Sequence, residues 1–470
     1  MTDFTIASEF DLVIRGGTLV TASGVFQADL GVRAGRIAAW GTGFDGRRVL
    51  DADGLLVLPG AVDPHVHLAM PAGATRSSDD WASGTLAAAF GGTTTVLDFI
   101  EPEPGDSLAA AKQARLEEAS QGACIDFGLH MTLSRADPET LADVPAMVGA
   151  GCPSFKAYTT YEGFRLDDAE MLRVMQAVSD AGGLLMVHCE NDAIIQSARE
   201  ELIHAGQSGP SAHPRSRPAL AESDAVEHVI NLADAAACAL YIVHISTREG
   251  ALAVRAAKQR GQPVTGETCP QYILLDEGAY ASPGLEAAKF VCSPPLRAEE
   301  HLAALWKSVT DGTIDTLGTD HCPFNFDGQK DLGATDFRLI PNGLPGIELR
   351  LSLAYTNGVQ GGRIGLSDWV RLCSTAPAQV FGLYPRKGSL APGADADIVL
   401  FDPSRKMDIT HSNLHERVDY TPYEGMALSG FPRTVLRRGD VIVDQGRFTG
   451  ASGSGVFLPG SLSTSVDSAP

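Results

Sequence analysis

The chain has 470 residues, 44% hydrophobic and 20% charged, with 36 basic and 58 acidic residues giving a formal net charge of -22. This composition fits a folded globular protein of one large or two ordinary domains. The acidic excess argues against nucleic acid or an anionic membrane as a partner, and no run of about eighteen apolar residues is present to span a bilayer.

Taken in chain order, Met1 to Asp11 shows no basic flank followed by an apolar run, so no secretory leader is expected. Short alternating strands follow, in Asp11-Leu-Val-Ile-Arg, Gly17-Thr-Leu-Val and Asp29-Leu-Gly-Val-Arg, broken by Gly-Gly and Ala-Gly turns. The middle of the chain changes texture. Apolar strand candidates at 55–58, 94–99, 125–133, 154–158, 184–188, 240–244, 263–268 and 314–317 alternate with Ala-rich amphipathic stretches such as 107–121, 168–181 and 248–260. Continuous apolar strands alternating with helices imply a parallel sheet covered on both faces. Eight such units predict an α/β fold of the (β/α)8 TIM-barrel kind, with a doubly wound open sheet as the alternative. Strand texture returns in Asp397-Ile-Val-Leu-Phe, Thr434-Val-Leu-Arg-Arg and Val441-Ile-Val-Asp. The expected organisation is therefore a small β-sandwich built from both termini (1–54 and 389–446), a barrel over 55–388, and a Ser/Gly-rich, poorly packed tail over 447–470. Eight cysteines between Cys124 and Cys373 include no C-x-x-C pair. They read as buried reduced thiols in a reducing, cytoplasmic setting.

Six residues stand at or beside the ends of these apolar runs: His65, His67, Lys156, His188, His244 and Asp320. In a barrel such positions share one rim. His65 and His67 are two apart, so on a strand both rings face one side and reach one ion. His188 closes Leu-Leu-Met-Val-His and His244 closes Leu-Tyr-Ile-Val-His. Neutral imidazole is a good ligand for zinc and related divalent ions. Taken singly, each has an ordinary structural explanation: loop or packed histidines, and an aspartate in a turn or helix cap. Lys156 is the misfit, because an ammonium beside two dications is repelled and has no lone pair to donate. A buried salt bridge is one reading of it. N-carboxylation by CO2 is the sharper one, since a carbamate turns the cation into a bidentate anion that could bridge two metals.

Longer motifs surround these positions: Pro59-Gly-Ala-Val-Asp-Pro-His-Val-His-Leu, Ser77-Ser-Asp-Asp-Trp, Gly91-Gly-Thr-Thr, Ser154-Phe-Lys-Ala-Tyr and Gly266-Glu-Thr-Cys-Pro-Gln-Tyr. Cys292-Ser-Pro-Pro-Leu-Arg, Gly318-Thr-Asp-His-Cys-Pro-Phe and Pro341-Asn-Gly-Leu-Pro-Gly-Ile-Glu continue the series. Together they resemble the amidohydrolase superfamily and, within it, the dihydropyrimidinase/hydantoinase branch. The resemblance implies a barrel with a β-sandwich and commonly a homotetramer. It implies two divalent metal ions, zinc foremost: His65, His67 and Asp320 on one, His188 and His244 on the other, with a CO2-derived carbamate on Lys156 and a hydroxide bridging them. The expected substrate is a small cyclic ureide or imide, whose amide carbonyl the hydroxide attacks. Asp320 would move the proton to the leaving ring nitrogen. The resemblance also gives Tyr161, five residues after Lys156, as donor to the developing oxyanion. Ser293 and Asn342 would read the ureide edge of the ring.

Departures from the pattern limit the substrate. Ala69 stands where the dihydroorotase branch usually has an arginine, two residues after His67. After Lys156 the chain reads Ala-Tyr-Thr-Thr-Tyr-Glu, where dihydropyrimidine enzymes more often have bulkier apolar residues and a lysine after the tyrosine. That loop, the loop 70–74 and the loop 100–105 are expected to form the pocket for the ring substituent. Hydrolysis of 5,6-dihydropyrimidines or 5-substituted hydantoins to N-carbamoyl amino acids is the leading expectation. Allantoinase or cyclic imide hydrolase is the alternative, and a non-catalytic scaffold protein the distant one.

Overall fold

The computed structural model describes residues 9–73, 75–103 and 105–462. Eight parallel strands neighbour one another in chain order: Ala61–Val66, Thr93–Ile100, Asp126–Thr132, Ser154–Tyr158, Leu184–His188, Leu240–Ile242, Val264–Thr268 and Thr316–Leu317. A doubly wound sheet reverses its strand order at a switch point. This order has no reversal, and the fold is the TIM barrel. Strands such as Thr93–Ile100 are buried along their whole length, as a sheet covered on both faces requires. Helices begin where side chains can satisfy their free N–H groups. Ser107 caps Leu108–Gly122, Asp167 and Glu170 form a capping box on Asp168–Asp180, and Thr247 caps Arg248–Gln259.

The seam between the first and last strands is built largely by side chains. Val66 bridges His321, and the His67 N–H donates to the His321 carbonyl over 2.8 Å. Arg350, fully buried, donates to the Val62 and Leu317 carbonyls at 2.9 Å each. Asp63 accepts from the Thr319 N–H at 3.1 Å and from its hydroxyl at 2.7 Å.

A nine-stranded sheet from both ends of the chain forms the second, β-rich unit. Its central contacts join Phe10–Thr21 to Leu56–Pro59, and Leu56–Pro59 to Ile398–Asp408. Leu12, Ile14, Leu30, Val57, Ile398 and Leu436 are among the buried side chains of its own core. The 55–58 run therefore does not begin the barrel. It pairs in the other sheet, and the first barrel strand is Ala61–Val66. Two consecutive apolar runs separated by Gly60 serve two different sheets, and the second is masked by its own polar residues, Asp63 and His65.

The tail expectation is also corrected in part. Phe457 bridges Phe127, Leu458 is buried, and the N–H groups of Phe127 and Leu458 donate to the Val456 and Phe127 carbonyls at 3.0 and 2.7 Å. Val456, Phe457 and Leu458, with backbone bonds such as Gly455 N–H to the Ala123 carbonyl at 2.8 Å, dock this Ser/Gly-rich segment against the start of the third barrel strand. Residues 463–470 of that tail lie outside the described residues. At this same end Lys387 lies within 2.7 Å of both Asp126 and Asp397 and within 3.2 Å of Asp395, all buried. The network ties barrel to sheet. No helix among the described residues is long and apolar enough to cross a membrane.

Candidate metal and substrate site

One cavity of about 930 Å³ opens at the C-terminal rim of the barrel strands, and its walls include His65, His67, Lys156, His188, His244 and Asp320. Tyr161, Ser293 and Asn342 line the same cavity. All nine residues singled out in the sequence are thus brought together.

His65 lies within the first strand and His67 just past it, and their Nε2 atoms are 3.2 Å apart. Asp320 Oδ1 is 3.2 Å from each. These three donor atoms lie within 4.8 Å of one another, a spacing that suits one cation. On the other side His188 Nδ1 is 2.9 Å from His244 Nε2. Lys156, from the middle of the fourth strand, is fully buried between the rings of Phe99 and Tyr158, 5.2 Å from each centroid.

Burial sets the protonation of this group. It holds His65 and His244 well below the ordinary histidine range, so both rings are neutral and carry a lone pair. Burial pushes Asp320 up, but His65 and His67 outweigh it and keep the carboxylate below its usual range. Burial brings Lys156 down to about 8, against the opposing pull of Asp320 and Glu267. Neutral imidazoles beside an ionised carboxylate form the donor set a divalent ion needs, so the residues fit a metal.

Backbone strain collects here. Asp320, His244 and Tyr161 have φ of 52°, 39° and 78°, in the left-handed region that costs a residue with a Cβ about 1–2 kcal/mol. Their neighbours hold them. The His244 N–H donates to Glu267 Oε1 at 3.0 Å, and the Thr319 bonds to Asp63 anchor the residue before Asp320.

The pattern shared by the Amidohydrolase family matches residues 56–442. The chain belongs to that family. The D-hydantoinase of Streptomyces coelicolor is 43% identical over 455 residues, covering 95% of this chain and 97% of that protein. The D-hydantoinase of Geobacillus stearothermophilus is 41% identical over 450 residues, covering 95% and 96%. Among solved structures, the dihydropyrimidinase of Brevibacillus agri superposes with a TM-score of 0.94 at 40% identity, covering 96% of this chain and 98% of that one. These likenesses place this amidohydrolase in the hydantoinase branch.

Several supporting residues of the amidohydrolase site carry no role in the sequence reading. Glu267 Oε1 is 2.7 Å from His65 Nδ1, and its Oε2 accepts from the Tyr241 hydroxyl at 2.8 Å. A proton fixed on Nδ1 leaves the Nε2 lone pair of His65 facing the cavity. Gly318 permits this approach, because a Cβ there would stand 2.4 Å from Glu267 Oε2. Glu190 does the same for His188, accepting at 2.7 Å from Nε2 so that Nδ1 faces inward. Burial pushes Glu190 up, but Arg217 and the His188 hydrogen bond together draw it down to about 2. Arg217 also bonds Glu190 directly and stacks on the Tyr161 ring at 5.0 Å, so one cation steadies both. The signal for Glu190 was available as His188-x-Glu190, an i, i+2 pair like His65-x-His67.

The segments carrying Ser293 and Asn342, the residues expected to read the ring, are likewise held from behind. Lys330, fully buried, donates to the Val291 carbonyl at 2.8 Å and the Pro341 carbonyl at 3.1 Å. It joins the two segments that carry Ser293 and Asn342. Ser293 Oγ and Asn342 Oδ1 are buried with no hydrogen-bond partner among the described residues.

His130 and His321 belong elsewhere. His130 Nδ1 is 2.6 Å from Ser154 Oγ and its Nε2 3.0 Å from the Pro64 carbonyl, and it does not line the cavity. His321 Nε2 is 3.0 Å from Asp79 Oδ2. Of the three loops expected to form the substituent pocket, Met70, Pro71, Ala72, Gly73, Glu101 and Tyr158 line the cavity, while Ala74 and Pro104 lie outside the described residues. The stretch from Gly328 to Ile340 adds a wall that the sequence did not announce, with Leu332 and Leu339 exposed at the mouth.

Proposed function

We propose that this amidohydrolase opens cyclic ureides, 5-substituted hydantoins first among them and 5,6-dihydropyrimidines beside them, to N-carbamoyl amino acids. The observation that carries the reading is the single cavity in which four imidazoles, a carboxylate and a buried lysine face two unpaired polar groups, Ser293 Oγ and Asn342 Oδ1. Relatives named D-hydantoinase and dihydropyrimidinase, matched along almost the whole chain, support it.

His65, His67 and Asp320 would hold one divalent ion, and His188 and His244 a second. The nitrogen and carboxylate donors suit zinc. Bound there, two ions would acidify a shared water and polarise the substrate carbonyl. Lys156 fits carboxylation: a pKa near 8 leaves a usable fraction of neutral amine at physiological pH, and the resulting carbamate replaces a buried cation by an anion.

The chain's own groups do the rest. Asp320 accepts the proton of the attacking water and delivers it to the ring nitrogen as the carbon–nitrogen bond breaks. Burial pushes the Tyr161 phenol up, so it stays protonated and donates to the carbonyl oxygen as charge develops there. Ser293 and Asn342 orient the alternating carbonyl and N–H edge of the ring. All eight cysteines are buried and unpaired, which supports a reducing setting.

The test is the loss of ring absorbance of a 5-substituted hydantoin and of dihydrouracil with zinc-loaded protein, with the N-carbamoyl product identified by mass. Turnover of either is expected. Turnover of neither, nor of a cyclic imide, contradicts the reading.

A further inference from the structure

His321 does not line the cavity, yet its main chain reaches both sides of one ligand set. It follows Asp320 directly, and its carbonyl accepts the His67 N–H across the seam of the barrel. Its ring is fully buried and engaged at both nitrogens. Nδ1 accepts from the N–H groups of Gly346 and Ile347 at 3.2 and 3.4 Å, so Nε2 is the donor to Asp79 Oδ2 at 3.0 Å. Asp79, also fully buried, is committed on its other side, where Oδ1 accepts from the Arg417 N–H at 2.9 Å. The Asp79 carbonyl accepts from the N–H of Ala69, two residues past His67, at 2.7 Å.

Arg417 is not a barrel residue. It lies in the connection 409–426 between Ile398–Asp408 and Ala427–Arg437 of the β-rich sheet. The same connection carries Asp419, whose carboxylate accepts from the Phe326 and Asp327 N–H groups at 2.6 and 3.0 Å in the loop after Asp320. It also carries Glu416, whose Oε1 is 3.9 Å from His321 Nδ1 and accepts from the Glu348 N–H at 3.2 Å. A continuous set of bonds therefore runs from the β-rich sheet through Arg417, Asp79 and His321 to His67 and Asp320.

We propose that Asp79 is a positioning residue for the ion held by His65, His67 and Asp320, acting through His321, and that the 409–426 connection of the β-rich sheet is a working part of that metal site. The proposal rests on the two-ion reading above and adds residues that touch neither ion. Both Asp79 oxygens accept from an N–H. Asparagine has the same shape but one acceptor end and one donor end, so either the His321 Nε2–H or the Arg417 N–H would face an NH2 group. The ring or the connection must then shift, and the His321 main chain between His67 and Asp320 shifts with it. The second ligand pair has no such dependence: His188 is held by Glu190, and neither His188 nor His244 bonds Asp79 or His321 among the described residues.

The experiment measures zinc affinity of the full chain by competition with a chromophoric chelator in two backgrounds. His244→Ala leaves the His65, His67 and Asp320 site, and His65→Ala leaves the other. Adding Asp79→Asn is expected to weaken zinc binding by about 10–100-fold in the first background, the usual cost of removing a group that orients a ligand, and to leave it unchanged in the second. His321→Asn keeps an acceptor for the two amides but is too short to reach Asp79. It should weaken the first site as much, and combining it with Asp79→Asn should weaken that site no further. Equal losses at both sites, no loss at the first, or losses that add would overturn the proposal while leaving the two-ion reading intact. Zinc bound in neither background would remove the two-ion reading and the proposal with it. Should Asp79→Asn not fold, His321→Asn carries the same prediction alone.

Discussion

At the N-terminal end of the barrel a buried cation is fully matched: Lys387 sits within 3.2 Å of three carboxylates, Asp126, Asp395 and Asp397. At the C-terminal rim two imidazole nitrogens face each other across 3.2 Å, and Ser293 Oγ and Asn342 Oδ1 are buried without partners. The chain matches a buried cation at one end and leaves two cavity-facing polar atoms unmatched at the other. Buried polar atoms are normally paired, and two unpaired ones on the wall of one cavity are placed for a ligand to satisfy. The backbone tells the same story, with Asp320 and His244 in the left-handed region at the rim.

The sharpest way to break this contrast is Asp320→Asn. The proposed role of Asp320 as proton carrier predicts a fall in kcat of about 10²–10⁴. Thermal stability should hold or rise, since asparagine tolerates a φ of 52°. Steady-state kinetics beside a melting curve read both. Tyr161→Phe should lower kcat by about 10²–10³ with little change in KM, because the hydroxyl bonds the transition state more than the substrate. A change confined to KM would move Tyr161 from catalysis to binding.

Lys387→Met inverts the pattern. Asp395 keeps Arg386 at 2.8 Å and Asp126 keeps Arg438 at 3.4 Å, but removing the buried cation that all three share should still cost about 3–5 kcal/mol of stability in denaturant titration. The kcat of the folded fraction should be that of the wild type.

Lys330→Met, the mildest, tests the link between the two kinds of region, because this lysine is structural but stands behind the clamps. Misplacing Ser293 and Asn342 should lower kcat/KM by about tenfold, mostly through KM. Burial brings the Lys330 pKa from 10.5 down to about 7. Between those values the unfolded chain binds a proton that the folded chain does not, so the contribution of Lys330 to stability is greatest above 10.5. It is lost as pH falls through 7, by at most about 1.4 kcal/mol per pH unit. Urea titrations at pH 7.5 and 9.5 should show the wild type gaining on the variant at the higher pH, and an equal gap at both would contradict the assignment.

The rim was legible in the sequence because its ligands interrupt apolar strands. His188, His244 and Lys156 each stand in or at the end of a run that otherwise has no reason to carry a charge or a ring nitrogen. The first strand was misread for the opposite reason. Ala61–Val66 contains Asp63, Pro64 and His65, so its chemistry hides its strand character, while the cleaner apolar run Leu56–Pro59 belongs to another sheet. Arg350, Lys330 and Lys387 were not legible at all. Their acceptors include carbonyls or carboxylates up to 288 positions away, and a lone basic residue in sequence does not say which backbone it staples. Glu267 lay in plain view within Gly266-Glu-Thr-Cys, but its role depends on His65, which it meets only when the barrel curls round.

The claim that the rim is an incomplete structure finished by two ions is tested most directly by titrating metal-depleted protein with zinc while recording hydantoin ring opening. Activity should climb to a plateau at two equivalents per chain. A plateau at one equivalent, or full activity with none, would contradict it.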